Sequence, residues 1–139
     1  PALDLRANGL GAAAVKAIFD RPPDDRVRLR ELDLSHNELG EAGVRALAGC
    51  PTLAGLRTLK LFGCGVTDAA LGALAASPHL NALTALDVAN NPIGDAGLGP
   101  FAAAPQLKSL RRLVIPGIGV NPGVRRALNQ RFHNGMERF

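Results

Sequence analysis

Few residues of this 139-residue chain have the types and spacing that chemistry demands. His36, His79 and His133 stand at unrelated places, and neither His-x-x-x-His nor Cys-x-x-Cys occurs. No two ligands therefore share the helix face or turn that a metal site uses. Asp24 and Asp25 are adjacent carboxylates, but Pro22 and Pro23 precede them, and that composition suits a solvated connection better than an acid/base pair. Gly-x-Gly occurs at Gly9 and Gly11, at Gly63 and Gly65, and at Gly117 and Gly119. The last, continued to Gly123, is one residue too long for a dinucleotide fingerprint. The expectation is a chain that is not an enzyme and uses no cofactor and no metal.

The elements that position these residues come from a repeat. Leu29, Leu56, Leu83 and Leu110 follow one another at a spacing of 27. Each opens the same pattern: Leu29, Leu32, Leu34; Leu56, Leu59, Leu61; Leu83, Leu86, Val88; Leu110, Leu113, Ile115. Asn37, Cys64, Asn91 and Ile118 follow at one register, then Leu39, Val66, Ile93 and Val120 at another. A partial earlier copy runs Leu3, Leu5, Asn8, Leu10. A fixed period of this length signals a solenoid, in which each unit buries its apolar face only against its neighbours.

Within a unit, alternation as in Leu32-Asp33-Leu34 predicts a strand with one buried face. From Gly40 to Cys50 the rhythm becomes helical, with Ala42, Gly43 or Val44, and Leu47 expected to face inward. Glu41, Asp68 and Asp95 place a carboxylate where the helix dipole favours it, and Asn121 with Pro122 makes an N-cap and first helical residue. Pro51, Pro78 and Pro105 end the helices at one register. One strand and one helix per unit, joined by short links, require parallel strands and right-handed crossovers.

The pattern resembles the leucine-rich repeat, and its long unit with a helix is similar to the ribonuclease-inhibitor-like subfamily. Ile93-Gly94-Asp95-Ala96-Gly97-Leu98 and Leu74-Ala75-Ala76-Ser77-Pro78-His79-Leu80 resemble segments of bacterial repeat proteins. The resemblance implies an α/β fold, a right-handed solenoid or horseshoe segment with parallel strands on the concave face and helices on the convex face. It also implies that Asn8, Asn37 and Asn91 form a structural ladder whose amides bond backbone groups of adjacent coils. Cys64, in the same slot, is then a buried ladder residue rather than a nucleophile, and Ile118 departs from the pattern. One domain is expected, with repeats at residues 1–28, 29–55, 56–82, 83–109 and 110–132 and a C-terminal cap at 133–139, where Asn134-Gly135 stops the last helix and Met136 and Phe139 cover the final coil. The missing first Leu suggests the C-terminal part of a longer array.

Strand residues pointing away from the core form columns across the repeats. The first is Ala2, Glu31, Thr58, Ala85, Arg112; the second Asp4, Asp33, Lys60, Asp87, Val114; the third Arg6, Ser35, Phe62, Ala89, Pro116; then Ala7, His36, Gly63, Asn90, Gly117. Lys60 between Asp33 and Asp87 reads either as an ion ladder or as an acidic stripe that selects a basic partner. Phe62, an aromatic side chain on an open sheet, is the best single anchor for a partner unless a neighbouring loop covers it. Glu31 and His36 complete the candidate binding residues. Five strands about 4.8 Å apart and about five residues long present on the order of 400 Å². A standard interface takes about 800 Å² from each side.

The leading expectation is a protein-interaction module, or scaffold, that holds a protein or peptide on its concave face. Two alternatives stand beside it: polyanion binding through the basic C-terminal end, or the recognition arm of a larger enzyme or sensor. The formal net charge of +4 and pI near 9.8 invite the first alternative. Residues 108–139 hold Lys108, Arg111, Arg112, Arg125, Arg126, Arg131 and Arg138 against Glu137 alone, so the body is close to neutral. With neither Trp nor Tyr available for base stacking, nucleic acid is the disfavoured partner. No apolar run is long enough to span a bilayer, and two cysteines without a sequon suit a cytoplasmic, reducing compartment.

Overall fold

In a computed structural model of the chain, residues 1–22, 28–117 and 119–132 are described together with the backbone of 136–138. The expectations for Asp24, Asp25, Ile118, His133, Asn134, Gly135 and Phe139, and for the Met136 side chain, lie outside the described residues.

Each apolar pattern forms a short strand and each following segment a helix. The order is β1 (Ala2–Asp4), α1 (Ala12–Phe19), β2 (Glu31–Asp33), α2 (Gly40–Ala48), a 3-10 turn (Pro51–Leu53), β3 (Thr58–Lys60), α3 (Asp68–Ala75), β4 (Ala85–Asp87), α4 (Asp95–Ala102), β5 (Arg112–Ile115), α5 (Pro122–Arg131) and β6 (Met136–Arg138). The strands make one sheet in chain order, every described pairing parallel. This is an open α/β solenoid with strands on the concave side and helices behind them.

The core lies between sheet and helices. Leu32, Leu34, Leu56, Leu59, Leu61, Leu83, Leu86, Val88, Leu110, Leu113 and Ile115 are all buried, as the repeat requires. A column at the same period, Leu53, Leu80 and Leu107, closes the strand-start side. From the helices, Val44, Leu71 and Leu98 form one buried row and Leu47, Leu74, Phe101 and Leu128 another. Each such side chain contributes about 1.5–3 kcal/mol relative to exposure.

Several expectations need correction. Ala42 is exposed, and Gly43, Val44 and Leu47 make the inner face of α2. The strands are three or four residues long rather than about five. Ladder bonds nonetheless continue past them, from the Leu5 and Ala7 N–H to the Asp33 and Ser35 carbonyls and from the His36 and Gly63 N–H to those of Phe62 and Ala89. Beyond α5 the chain adds β6 to the edge of β5, with Leu113 opposite Met136, in the stretch expected to cap the array.

Neighbouring coils are tied at two levels. Asn37 accepts from the Asn8 and Leu10 N–H groups through Oδ1, each at 3.0 Å, and donates to the Leu5 and Leu34 carbonyls at 2.9 and 2.8 Å. Asn91 repeats this with the Cys64 and Val66 N–H groups, both at 2.9 Å, and the Leu61, Val88 and Ala89 carbonyls. The carboxylates expected to serve the helix dipole do more. Asp68 Oδ1 accepts from the Gly94 N–H and Asp95 Oδ1 from the Asn121 N–H, both at 2.8 Å. A Cβ on Gly97 would stand 2.5 Å from Asp68 Oδ1 and 2.9 Å from its Cα, so glycine is what lets α4 approach α3.

Candidate functional site

The sheet register brings the expected columns together: Ala2, Glu31, Thr58, Ala85, Arg112 in one row and Asp4, Asp33, Lys60, Asp87, Val114 in the next. Glu31 and Lys60 are exposed, whereas Asp33 and Asp87 are half-buried. Val114 is buried, against the expectation for its column.

The ion ladder through Lys60 does not form. Asp33 lies 3.5 Å from Arg6, and no ion pair joins Lys60 to Asp33 or Asp87. The reason is local. Each aspartate of this column turns back to accept the N–H two residues on: Asp4 from Arg6, Asp33 from Ser35, Asp87 from Ala89, at 3.0–3.1 Å. This is the Asx turn that a short carboxylate side chain makes. At Lys60, which cannot accept, the Phe62 N–H donates instead to Ser35 Oγ of the neighbouring coil at 3.3 Å. Asp4 is additionally held by the Arg6 guanidinium at 2.7–3.1 Å. The hydrogen bond from Arg6 lowers the Asp4 pKa below its ordinary 3.8.

Phe62 is half-buried, flanked in its column by the buried small residues Ser35 and Ala89. Its ring packs at a tilt against exposed His36, with centroids 5.2 Å apart. His36 sits there because its column bends the backbone: Ala7, His36, Gly63 and Asn90 all have φ between 52° and 64°. Gly63 relieves that strain and leaves room beside His36 and Asn90, whose ring and amide nitrogens lie 3.5 and 3.4 Å from where a Cβ would stand. The sequence columns contained this row but gave no sign of its left-handed geometry. Phe62 and His36 therefore form one aromatic corner at the strand ends, while Glu31, Lys60 and the aspartates lie along the sheet. Two shallow depressions line the same face, of about 290 Å³ around Asp4, Glu31 and Asp33 and about 170 Å³ around Lys60, Asp87 and Arg112.

Of the ladder residues, Asn37, Cys64 and Asn91 are buried, while Asn8 is exposed and its side-chain amide bonds the Arg6 carbonyl of its own coil rather than a neighbouring one. Cys64 directs its thiol to the Leu34 carbonyl at 3.1 Å, and burial pushes its pKa up. Among the described residues, no group of three or more His, Cys, Asp or Glu could hold a metal ion.

A family model described as Leucine Rich repeat matches residues 29–48, 56–75 and 79–102. The chain is a leucine-rich repeat protein. The matched segments are three successive strand-and-helix units of the solenoid. Leucine-rich repeat domains generally mediate protein–protein interaction and are typically non-catalytic. No curated protein matches the chain. No helix among the described residues is long and apolar enough to cross a membrane.

Proposed function

We propose that this leucine-rich repeat chain is a non-catalytic recognition module that holds a protein or peptide on its concave face, with Phe62 as the anchor. The observation that carries the reading is the corner itself: a half-buried aromatic ring braced by an exposed histidine on a sheet whose other exposed side chains are small or polar. A preformed aromatic anchor loses little side-chain freedom on binding, and such residues dominate interface energetics. Exposed Lys60 and Glu31 set the polarity around it, and the aspartates, occupied with their own backbone, contribute shape more than charge.

The basic C-terminal end lends little to a polyanion reading. Arg131 donates to the Phe101 and Ala102 carbonyls at the end of α4 and to the Leu107 carbonyl in the connection beyond it. Arg125, in the row of Val44, Leu71 and Leu98, has a guanidinium nitrogen buried without a hydrogen-bond partner among the described residues. We further propose a cytoplasmic protein of the ribonuclease-inhibitor-like, bacterial type. The 27-residue strand-and-helix unit and two buried free cysteines support that.

The test is affinity capture with the wild-type chain followed by direct measurement of each recovered partner. Phe62→Ala combined with Lys60→Glu is expected to weaken binding at least about tenfold, the loss of a hot-spot residue. Unchanged affinity for every partner refutes the concave-face reading.

A further inference from the structure

The two edges of the solenoid carry opposite charge, and only one of them explains itself. At the strand-end edge, where the helices begin, most carboxylates are occupied: Asp68 and Asp95 bond the next coil and Glu41 pairs with Arg45 at 2.9 Å, while Glu38 is exposed. At the strand-start edge the connections 49–57, 76–84 and 103–112 contain no Asp or Glu, whereas the first connection, residues 20–30, holds Asp20, Asp24 and Asp25. They contain Arg28, Arg30, Arg57, Lys108, Arg111 and Arg112.

Backbone bonds put these residues in line. The Arg57 and Thr58 N–H groups donate to the Arg30 carbonyl, those of Thr84 and Ala85 to Arg57, and those of Arg111 and Arg112 to Thr84. Arg30, Arg57, Thr84 and Arg111 therefore occupy successive coils. At about 4.8 Å per coil, Arg30 to Arg111 spans roughly 14 Å. The Arg57 and Lys108 side chains are exposed and make no hydrogen bond or ion pair among the described residues. Arg111 commits one guanidinium nitrogen to the Lys108 and Leu110 carbonyls, and Arg30 one to the Gly55 carbonyl.

Helix dipoles do not account for this ridge. Their influence fades within the last turn, and Arg57 lies well past the end of α2 at Ala48. At α4 that role belongs to Arg131. Among the described residues Arg57, Lys108 and Arg111 have no ion-pair partner, and such like charges repel one another unless something anionic covers them.

We propose that the strand-start ridge of Arg30, Arg57, Lys108 and Arg111 is a docking surface for an extended acidic segment of a protein partner. This deepens the reading of a concave-face protein binder and rests on it. The concave sheet offers about half the area of a standard interface, so a partner must overrun one edge. The strand-end edge is acidic and mostly engaged, and the strand-start edge from Arg57 to Arg111 is basic and exposed. About five extended residues, at roughly 3.3 Å each, cover the ridge. Guanidinium groups match carboxylates in geometry as well as charge. Glu31, exposed beside Arg30, and the few free cations favour a short carboxylate segment over the dense charge of a nucleic acid.

The experiment titrates a fluorescent acidic peptide of about ten residues, alternating Glu and Gly, into the full chain and follows anisotropy at low and moderate salt. Binding that weakens with salt, falls at least about tenfold in Arg57→Glu/Lys108→Glu, and persists in Lys16→Glu/Arg126→Glu supports the ridge. Both ridge side chains are exposed and make no hydrogen bond or ion pair among the described residues, so the variant is expected to keep its fold, which circular dichroism verifies. Four results overturn the proposal: no binding by the wild type; equal loss in the Lys16/Arg126 control; an oligothymidylate of equal charge bound as tightly; or salt-sensitive self-association of the chain abolished by the ridge variant, which makes a second copy the occupant. Phe62→Ala is the separating arm. It leaves peptide binding intact while weakening captured partners, so a failed ridge and a failed concave-face reading give different results.

Discussion

Asn91→Ala removes a side chain that joins two coils through five hydrogen bonds. Its Oδ1 takes the Cys64 and Val66 N–H groups at 2.9 Å, and its Nδ2 supplies the Leu61, Val88 and Ala89 carbonyls at 2.8–3.0 Å. Asn91 is 8% exposed, and Cys64 and Val66 are fully buried, so water does not replace the lost acceptor. Each orphaned buried donor costs about 1–3 kcal/mol, giving about 2–6 kcal/mol for two. The carbonyls retain a second lone pair and add less. Against a total stability of about 5–15 kcal/mol, the variant is expected to lose a large fraction of its folding free energy. Equilibrium urea unfolding followed by far-UV circular dichroism measures it, as a fall in midpoint of about 1–3 M at ordinary slopes. The internal control is Asn8→Ala, the same chemical change at the same register on an exposed residue whose amide bonds only Arg6. That variant is expected to move stability by less than about 0.5 kcal/mol. If the two differ by less than about 1 kcal/mol, the ladder does not work by satisfying buried backbone donors, and the account of how the coils are joined is wrong.

Further outcomes follow from other contacts. Gly97→Ala pushes a methyl group into the Asp68 backbone and is expected to cost about 1–3 kcal/mol by the same unfolding assay; a neutral or stabilising result refutes the close α3–α4 approach. Burial pushes both the Cys50 and Cys64 thiols up, so a thiol-specific disulfide reagent should leave the native chain unlabelled at neutral pH and label both in urea. Rapid stoichiometric native labelling contradicts this. Arg6→Ala should return the Asp4 carboxyl toward 3.8 in an NMR titration. Because the folded value is the lower one, this pair's stabilisation is present above the unfolded pKa and is lost as pH falls through the folded one. An Asp4 titration unmoved by Arg6→Ala excludes Arg6 as the cause.

The fold was legible because a solenoid writes its packing into one dimension. Leu29, Leu56, Leu83 and Leu110 share a register in the chain and share one in space, so columns read from the sequence matched the strand pairing residue for residue. The candidate site was only half legible. The columns named Phe62 and His36 but not their mutual packing, since the left-handed bend at His36 has no signature in a histidine codon position. Lys60 between two aspartates suggested ion pairing, yet both carboxylates had a nearer donor in their own backbone two residues on. A donor fixed by the same turn is reached at less entropic cost than a flexible lysine from the next strand.

Charge shows the division most plainly. By sequence position, the positive excess belongs to residues 108–139, and the natural expectation is a basic C-terminal end. In three dimensions that group comes apart. Arg131 turns to the end of α4, while Lys108 and Arg111 join Arg30 and Arg57, far earlier in the chain, along one edge. The period alone determined the strands, the helices and the core, because each depends on contacts one repeat away, and the family resemblance added the asparagine ladder, which holds at Asn37 and Asn91. Which polar side chains are spent within the fold and which stay exposed was decided by tertiary structure, since a charged group's partner is whichever donor or acceptor the stacked coils bring within hydrogen-bonding reach.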